Sequence, residues 1–462
     1  MVGFYFIYTI AAILNSFLFI FFTDIYFNNF HQIAALNSSL IMPLQKHICI
    51  IGNGIAGITA ARNIRKLSNH KITVIGSESK YFYSRTALMY VYMGHMKQEH
   101  TMPYEDWFWA KNRIDLLYDL VTEINFAANK IHLKDSKPID YNELIIAVGS
   151  KFNTFNWPGQ QLEGVSGLYS LQDLANIEKY TQGCNEATVV GGGLIGIELA
   201  EMLVSRKIKV NFLVREKHFW SNILPENESK IIENEISKHD VNLILNSELN
   251  NIIGNAEGKV IAIKTKNGDE LQSQFVGIAV GVSPNISFLQ NTDLETNRGV
   301  LVNEYLQTNW PNVYAIGDCA EQKYPVDGRK PIEQIWYTGK IMGETIANTI
   351  CGIPKKYEPG VFYNSAKFFD IEYSVYGIVN SVLSNNESSF YWENKVRNKC
   401  LRINYLSDSQ QIIGVHALGI RLRAKTCLAW LEQKVKISTV LAELEKANFE
   451  PEFSKNYLKE VK

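Results

Sequence analysis

Two stretches of the chain repeat one glycine spacing, and that spacing has a chemistry. Residues 47–66 read HICIIGNGIAGITAARNIRK, an apolar run, then Gly52-x-Gly54-x-x-Gly57, then an Ala-rich helical pattern. Residues 187–204, ATVVGGGLIGIELAEMLV, do the same with Gly191-x-Gly193-x-x-Gly196. Between a strand and a helix, the first glycine permits a tight turn and the second lets backbone approach a pyrophosphate. The third lets helix and strand pack closely, and the helix N-terminus turns unpaired N–H groups toward the anion. Two such turns in one chain imply two dinucleotides.

The residues that follow each turn should read the ribose. After the strand KITVI (71–75) comes Glu78, two or three places later than the usual strand-end acid; it is either a ribose acceptor or a surface carboxylate. After VNFL (210–213) the chain reads Val214-Arg215-Glu216. Arg215 suits the 2′-phosphate of NADPH, whereas Glu216 suits NADH if the strand runs one residue further. Gly317-Asp318 follows the buried-strand pattern NVYAI, where a carboxylate with helix amides nearby can bind a polyol without being left unsatisfied.

The elements that position these residues must come from a chain of 462 residues, room for roughly three domains. With 46 Lys+Arg against 47 Asp+Glu and a formal charge of −1, the positive field that holds a protein on nucleic acid is missing. The 46% apolar content is that of an ordinary globular protein. Cysteines at 49, 184, 319, 351, 400 and 427 form no CxxC or CxxxxC pair, and the histidines show no HExxH or HxH spacing, so no metal centre is expected. Cys49 and Cys319 read as small apolar fillers, and Trp107 and Trp109 as core.

Residues 3–22 form an apolar stretch long enough for one bilayer crossing, yet no Lys or Arg precedes Lys46. An uncleaved anchor with the basic residues on the cytoplasmic side and a translation start at Met42 are competing readings.

Further segments fall in the order of a known family. YNELIIAVGS (141–150), VGIAVGVSPNISFL (276–289) and LVNEYLQTNWPNVYAIGDCAE (301–321) resemble the domain exits and second flavin motif of the pyridine nucleotide-disulfide oxidoreductase superfamily. The resemblance covers about residues 46–350. It implies an α/β fold of two Rossmann-like three-layer domains, for FAD and NAD(P)H, plus a C-terminal α+β domain. It also implies that Asp318 hydrogen-bonds the FAD ribityl chain. The helix expected from Pro331 through residue 348 would aim amides near Glu333 to Ile335 at the flavin, as an oxyanion hole does. Glu333 and Trp336 resemble the Glu and Trp on the nicotinamide side of ferredoxin-reductase-like members, spaced one residue wider. Glu198 matches an acid common on the second Rossmann helix, where it borders the nicotinamide ribose, buttresses the flavin edge or complements the helix dipole.

The thiol-dependent branch places a CxxxxC pair or one reactive Cys before the NAD(P) domain, and neither is present. Tyr83-x-Arg85-x-x-Leu88 instead resembles ferredoxin, rubredoxin and nitrite-reductase-type flavoproteins, where the Arg approaches the FAD diphosphate. The expected activity is hydride transfer from NADH or NADPH to FAD and onward electron transfer to a ferredoxin- or rubredoxin-like protein or a small oxidant. A membrane-associated NADH:quinone dehydrogenase and a slow flavin-binding redox sensor are the alternatives. The expected organisation is an extension (1–45), flavin segment one (46–155), NAD(P) domain (156–284), flavin segment two (285–350) and a C-terminal domain (351–462). In the last, strands precede one helical stretch, AKTCLAWLEQKVKISTVLAEL; His416 is expected in an interface strand, and Arg421 and Arg423 in ion pairs or on an acceptor surface.

Overall fold

Alternating apolar strands and amphipathic helices build two parallel sheets in succession. The computed structural model describes residues 45–326, 328–449 and 455–461, so the apolar stretch 3–22 lies outside the described residues. Among those described, no helix is long and apolar enough to cross a membrane.

The first sheet uses His47–Ile51 (β1), Lys71–Gly76 (β2), Ile114–Tyr118 (β3) and Glu143–Ile146 (β4), with helix Ile55–Leu67 (α1) after β1. The second follows helix Leu171–Tyr180 (α2), which is closed by a capping box between Ser170 and Asp173. It contains Glu186–Val190 (β5), Lys209–Leu213 (β6), Val241–Ile244 (β7) and Phe275–Ile278 (β8), with helices Leu194–Ser205 (α3) and Glu226–Ile236 (α4) between them. Strand Val313–Ala315 (β9) then returns to the first sheet, whose order is β9-β4-β1-β2-β3; the second runs β7-β6-β5-β8 and ends on the short strand Val165–Ser166. The first sheet is therefore assembled from two stretches of chain far apart in sequence. All its pairings are parallel, which fits the unbroken burial of Ile48 to Ile51 and of Leu144 to Ile146.

Strand pleating makes the layers. In the second sheet Val189 and Phe212 join the helix-side core with Leu199 and Leu203. Their neighbours Val190 and Leu213 pack against Ile252, Val260 and Ile263 of an antiparallel ribbon on the opposite face. The first sheet packs in one core with its own antiparallel ribbon, through Ile124 and Ile131, and with α1.

Helix Trp336–Ile350 (α5) lies along α1 so closely that a Cβ on Gly343 would sit 2.6 Å from the Ala56 carbonyl oxygen. The helix expected from Pro331 thus begins five residues later: Ile335 caps it, and the Pro331 carbonyl accepts from the Gln322 N–H instead.

A C-terminal antiparallel sheet contains Tyr363–Phe368 (β10), Ile371–Gly377 (β11), Glu387–Glu393 (β12), Cys400–Leu406 (β13) and Ile412–Leu418 (β14), ordered β10-β11-β14-β13-β12. One face carries Leu401, Ile403, Val415 and Ala417 against helix Ala424–Glu432 (α6). The expected single helix is broken: Lys434 takes φ +51°, Ile412 donates to the Val435 carbonyl, and a second short helix, Ile437–Ala442 (α7), follows. The opposite sheet face packs on the second Rossmann unit. There Glu228 of α4, wholly buried, accepts from both Nε and Nη2 of Arg402, and Nδ1 of buried His416 lies 3.6 Å from it. Trp109 is core as expected, but Trp107 is 59% exposed, because the short helix at 106–111 turns only one of the two indoles inward. Arg421 pairs with Glu372 through both Nε and Nη2.

Candidate active site

The geometry of the glycine turns follows from what a side chain would strike. Gly52 has φ +110°, and a Cβ there would lie 2.1 Å from the Ala147 carbonyl oxygen; on Gly57 it would lie 2.1 Å from the oxygen of Gly52. Gly54 has nothing within 4 Å, so the turn is closed on the protein side and open on the other. The second turn repeats this: Gly191 has φ +115° and a Cβ position 2.3 Å from the Ala279 oxygen, Gly196 is 2.0 Å from the Gly191 oxygen, and Gly193 is open. Each open glycine is the N-cap of a helix, with no side chain capping the first amides, the arrangement that suits an anion.

A cleft of about 990 Å³ extends from the first glycine turn. It is lined by Gly52, Gly54, Glu78, Arg85, Gly317 and Asp318, and it reaches Leu194, Ile195 and Glu198 on α3 and Trp336 on α5. Its size suits a large elongated ligand. Among the described residues, no cysteine lines it.

Inside the cleft the polar groups are tied to one another. Glu78 accepts from Arg85 Nη2 at 2.7 Å, from the Leu171 N–H at 3.0 Å and from the Tyr83 hydroxyl. Burial acts to raise the Glu78 pKa, but the Arg85 and Tyr83 bonds outweigh it and hold the carboxyl below its ordinary value. Asp318 shows the opposite balance. Burial pushes its carboxyl up in spite of Ser150, Tyr169 and Arg85, so it gains from further donors that a polyol would bring. Glu198 is pushed up to about 7, by burial first and then by Glu201. It is the fifth residue of α3, a full turn inside the helix, where the helix dipole has little effect.

Tyr169 and Gln334 were not singled out from sequence. The Tyr169 hydroxyl accepts from the Ser150 N–H at 2.8 Å and donates to Asp318 at 3.3 Å, while its ring lies 4.3 Å beneath the Arg85 guanidinium. Gln334 donates to Ser150 Oγ at 2.9 Å. The only local signal for Tyr169 is its place just before the Ser170-x-x-Asp173 capping box, which anchors it at the mouth of α2.

The remaining candidates lie elsewhere. Glu333 is clamped by Arg329, with Nε at 2.6 Å and Nη2 at 2.5 Å, and lines a separate cavity of about 60 Å³ beside Tyr357. The residues from Glu333 to Ile335 precede the helix, and Ile335 is extended, so the helix amides expected there start at Trp336 instead. Gly191, Gly193, Gly196 and Arg215 are not among the residues that line the cleft, although Leu194 and Ile195 of the same turn are. Cys49 and Cys319 are wholly buried, and burial pushes both thiols up to about 12, far from the thiolate state.

Residues 46–340 match the family described as pyridine nucleotide-disulphide oxidoreductase. The chain belongs to this family. Membership brings FAD and NAD(P)H as cofactors, and the open turns and the cleft fit them. The assimilatory nitrate reductase electron transfer subunit of Bacillus subtilis is 28% identical over 314 residues, covering 67% of this chain but 40% of its own length. Rubredoxin-NAD(+) reductase of Ectopseudomonas oleovorans is 25% identical over 308 residues, 66% of this chain and 80% of that protein. The solved ferredoxin reductase of Rhodopseudomonas palustris superposes with TM-score 0.75 at 20% identity, over 81% of this chain and 91% of its own, and so shares the fold. The chain spans less than half the length of the Bacillus subtilis relative.

Proposed function

We propose that the chain is an FAD-dependent NAD(P)H oxidoreductase that passes electrons to a redox protein of ferredoxin or rubredoxin type, or to a small oxidant, without a redox-active disulfide. The observation that carries this reading is one continuous cleft, with no cysteine among its described lining residues, joining the first glycine turn and Asp318 to the start of α3 in the second nucleotide unit. FAD bound there would take hydride from the nicotinamide and release electrons to the acceptor.

The side chains divide the work. Gly52, Gly54 and Gly57 shape the cradle for the FAD pyrophosphate, with Arg85 beside it and Glu78 toward the ribose. Asp318, braced by Tyr169, holds the ribityl hydroxyls. Gly191, Gly193 and Gly196 cradle the NAD(P)H pyrophosphate, and Arg215 stands at its ribose. Glu198 and Trp336 border the place where the two rings meet, so they orient the nicotinamide and exclude water. Glu333 acts from behind: its Arg329 clamp fixes the segment that delivers Gln334 and Trp336 to the cleft. The FAD segments 46–155 and 285–350, the NAD(P) domain 156–284 and the C-terminal domain 351–462 are the functional divisions. Cysteines that are few and widely spaced, at 49, 184, 319, 351, 400 and 427, support a reducing, cytoplasmic setting.

The test is anaerobic addition of NADH or NADPH to the FAD-loaded protein, with the flavin absorbance followed. Bleaching that persists in Cys49→Ser and Cys319→Ser variants at rates within about twofold supports the reading. Unbleached flavin with both donors, or loss of turnover without loss of FAD in either variant, sinks it.

A further inference from the structure

The choice between NADH and NADPH is decided where β6 ends. In the register of the second sheet Val190 is level with Leu213, so Val214 is the first residue beyond the strand. That position abuts the middle of the glycine turn: a Cβ on Gly192 would lie 2.7 Å from Val214 Cγ1. A strand-end carboxylate there would accept a hydrogen bond from a free ribose 2′-hydroxyl. Val214 is wholly buried and its side chain has no polar atom, so the carboxylate acceptor is missing.

The next side chain is Arg215, 72% exposed. Its Nε donates to Glu216 at 2.7 Å, and its two Nη groups hydrogen-bond nothing among the described residues. The charges facing it are Glu216, on its own loop, and Glu248, which is itself bound by Lys266. Lys217 follows on the same loop. Glu216 holds the guanidinium by one edge, and its own backbone carbonyl is pinned by the Asn246 N–H. The free Nη edge is the planar fork that a phosphate takes up.

We propose that the second nucleotide unit selects NADPH over NADH, with Arg215 binding the 2′-phosphate and Val214 withholding the acceptor that would favour NADH. This rests on the oxidoreductase reading above and adds the identity of the donor. The experiment is calorimetric titration of the FAD-loaded protein with adenosine 2′,5′-bisphosphate and with 5′-AMP, at low and high salt. The bisphosphate is expected to bind at least about tenfold more tightly, with the margin shrinking as salt screens the contact. Arg215→Leu is expected to bring the two ligands within about threefold, and Arg215→Lys to keep part of the preference. Equal affinity in the unaltered protein, or a preference that survives Arg215→Leu, overturns the proposal. Flavin bleached by NADH but not by NADPH overturns it while leaving the oxidoreductase reading intact; flavin bleached by neither overturns that reading itself.

Discussion

The two Rossmann units use the same turn and differ in what surrounds it. Around the first, Glu78 is gripped by Arg85 and Tyr83, Asp318 is braced by Tyr169, and α5 packs against α1, so the turn opens into a cleft lined by fixed polar groups. Around the second, the glycines lie outside that cleft and Arg215 stands in solvent. A cleft ringed by side chains already tied in place suits a ligand that stays bound, whereas a site read by a solvent-exposed arginine suits one that must leave each cycle. The supports differ as well. The first unit is buttressed by the second stretch of its own chain, and the second by the C-terminal sheet through Glu228, Arg402 and His416.

The sharpest way to break the comparison is to block each turn separately. Gly52→Ala places a methyl against the Ala147 carbonyl in a left-handed conformation and should yield protein without FAD. Gly191→Ala should keep its yellow colour while flavin reduction slows by roughly 100-fold, the scale of a small misplacement of reacting groups. Absorbance after gel filtration and rapid mixing with NADPH check both, and equal loss of FAD in the two variants would erase the distinction.

A smaller effect probes the supports. Arg402→Met leaves the buried Glu228 carboxylate uncompensated and should cost about 3–5 kcal/mol in denaturant unfolding, with His416 too distant at 3.6 Å to replace both bonds. Next, Asp318→Ala should weaken FAD binding by roughly 10- to 100-fold, measured by flavin fluorescence on dilution, while AMP binding at the second unit stays the same. The most gradual effect, spread over several pH units, concerns Glu198. Its folded pKa of about 7 lies above the ordinary value of 4.5, so the folded state binds its proton more tightly than the unfolded chain. Its contribution to stability is fully present below about pH 4.5 and lost as pH rises through about 7. Melting curves from pH 4.5 to 8 should therefore fall more steeply for the unaltered protein than for Glu198→Gln, and identical slopes would contradict the raised pKa.

Most of the first unit was legible in the chain because its signals are local. The two glycine spacings, the strands around them and Gly317-Asp318 each depend on a few consecutive residues whose sterics allow one arrangement. Legibility failed where contacts between distant segments decide. Pro331 reads as a helix start, yet its carbonyl is taken by Gln322, and the helix waits for Trp336. Glu333 reads as a cleft residue by its neighbours, but Arg329 draws it into a different cavity. Tyr169 carries no motif and enters the site because the crossover between the sheets passes over Asp318.

By itself, then, the amino-acid sequence determined that two glycine turns of dinucleotide-binding spacing occur and that no CxxC or CxxxxC pair accompanies them, since glycine and cysteine spacing need no knowledge of the fold. Only the tertiary structure decided which carboxylates share a cleft, that Val214 rather than Glu216 closes the second strand, and that Arg215 keeps one guanidinium edge free. Those outcomes depend on strand register and on packing between segments about a hundred residues or more apart, and neither is encoded in any short run of residues.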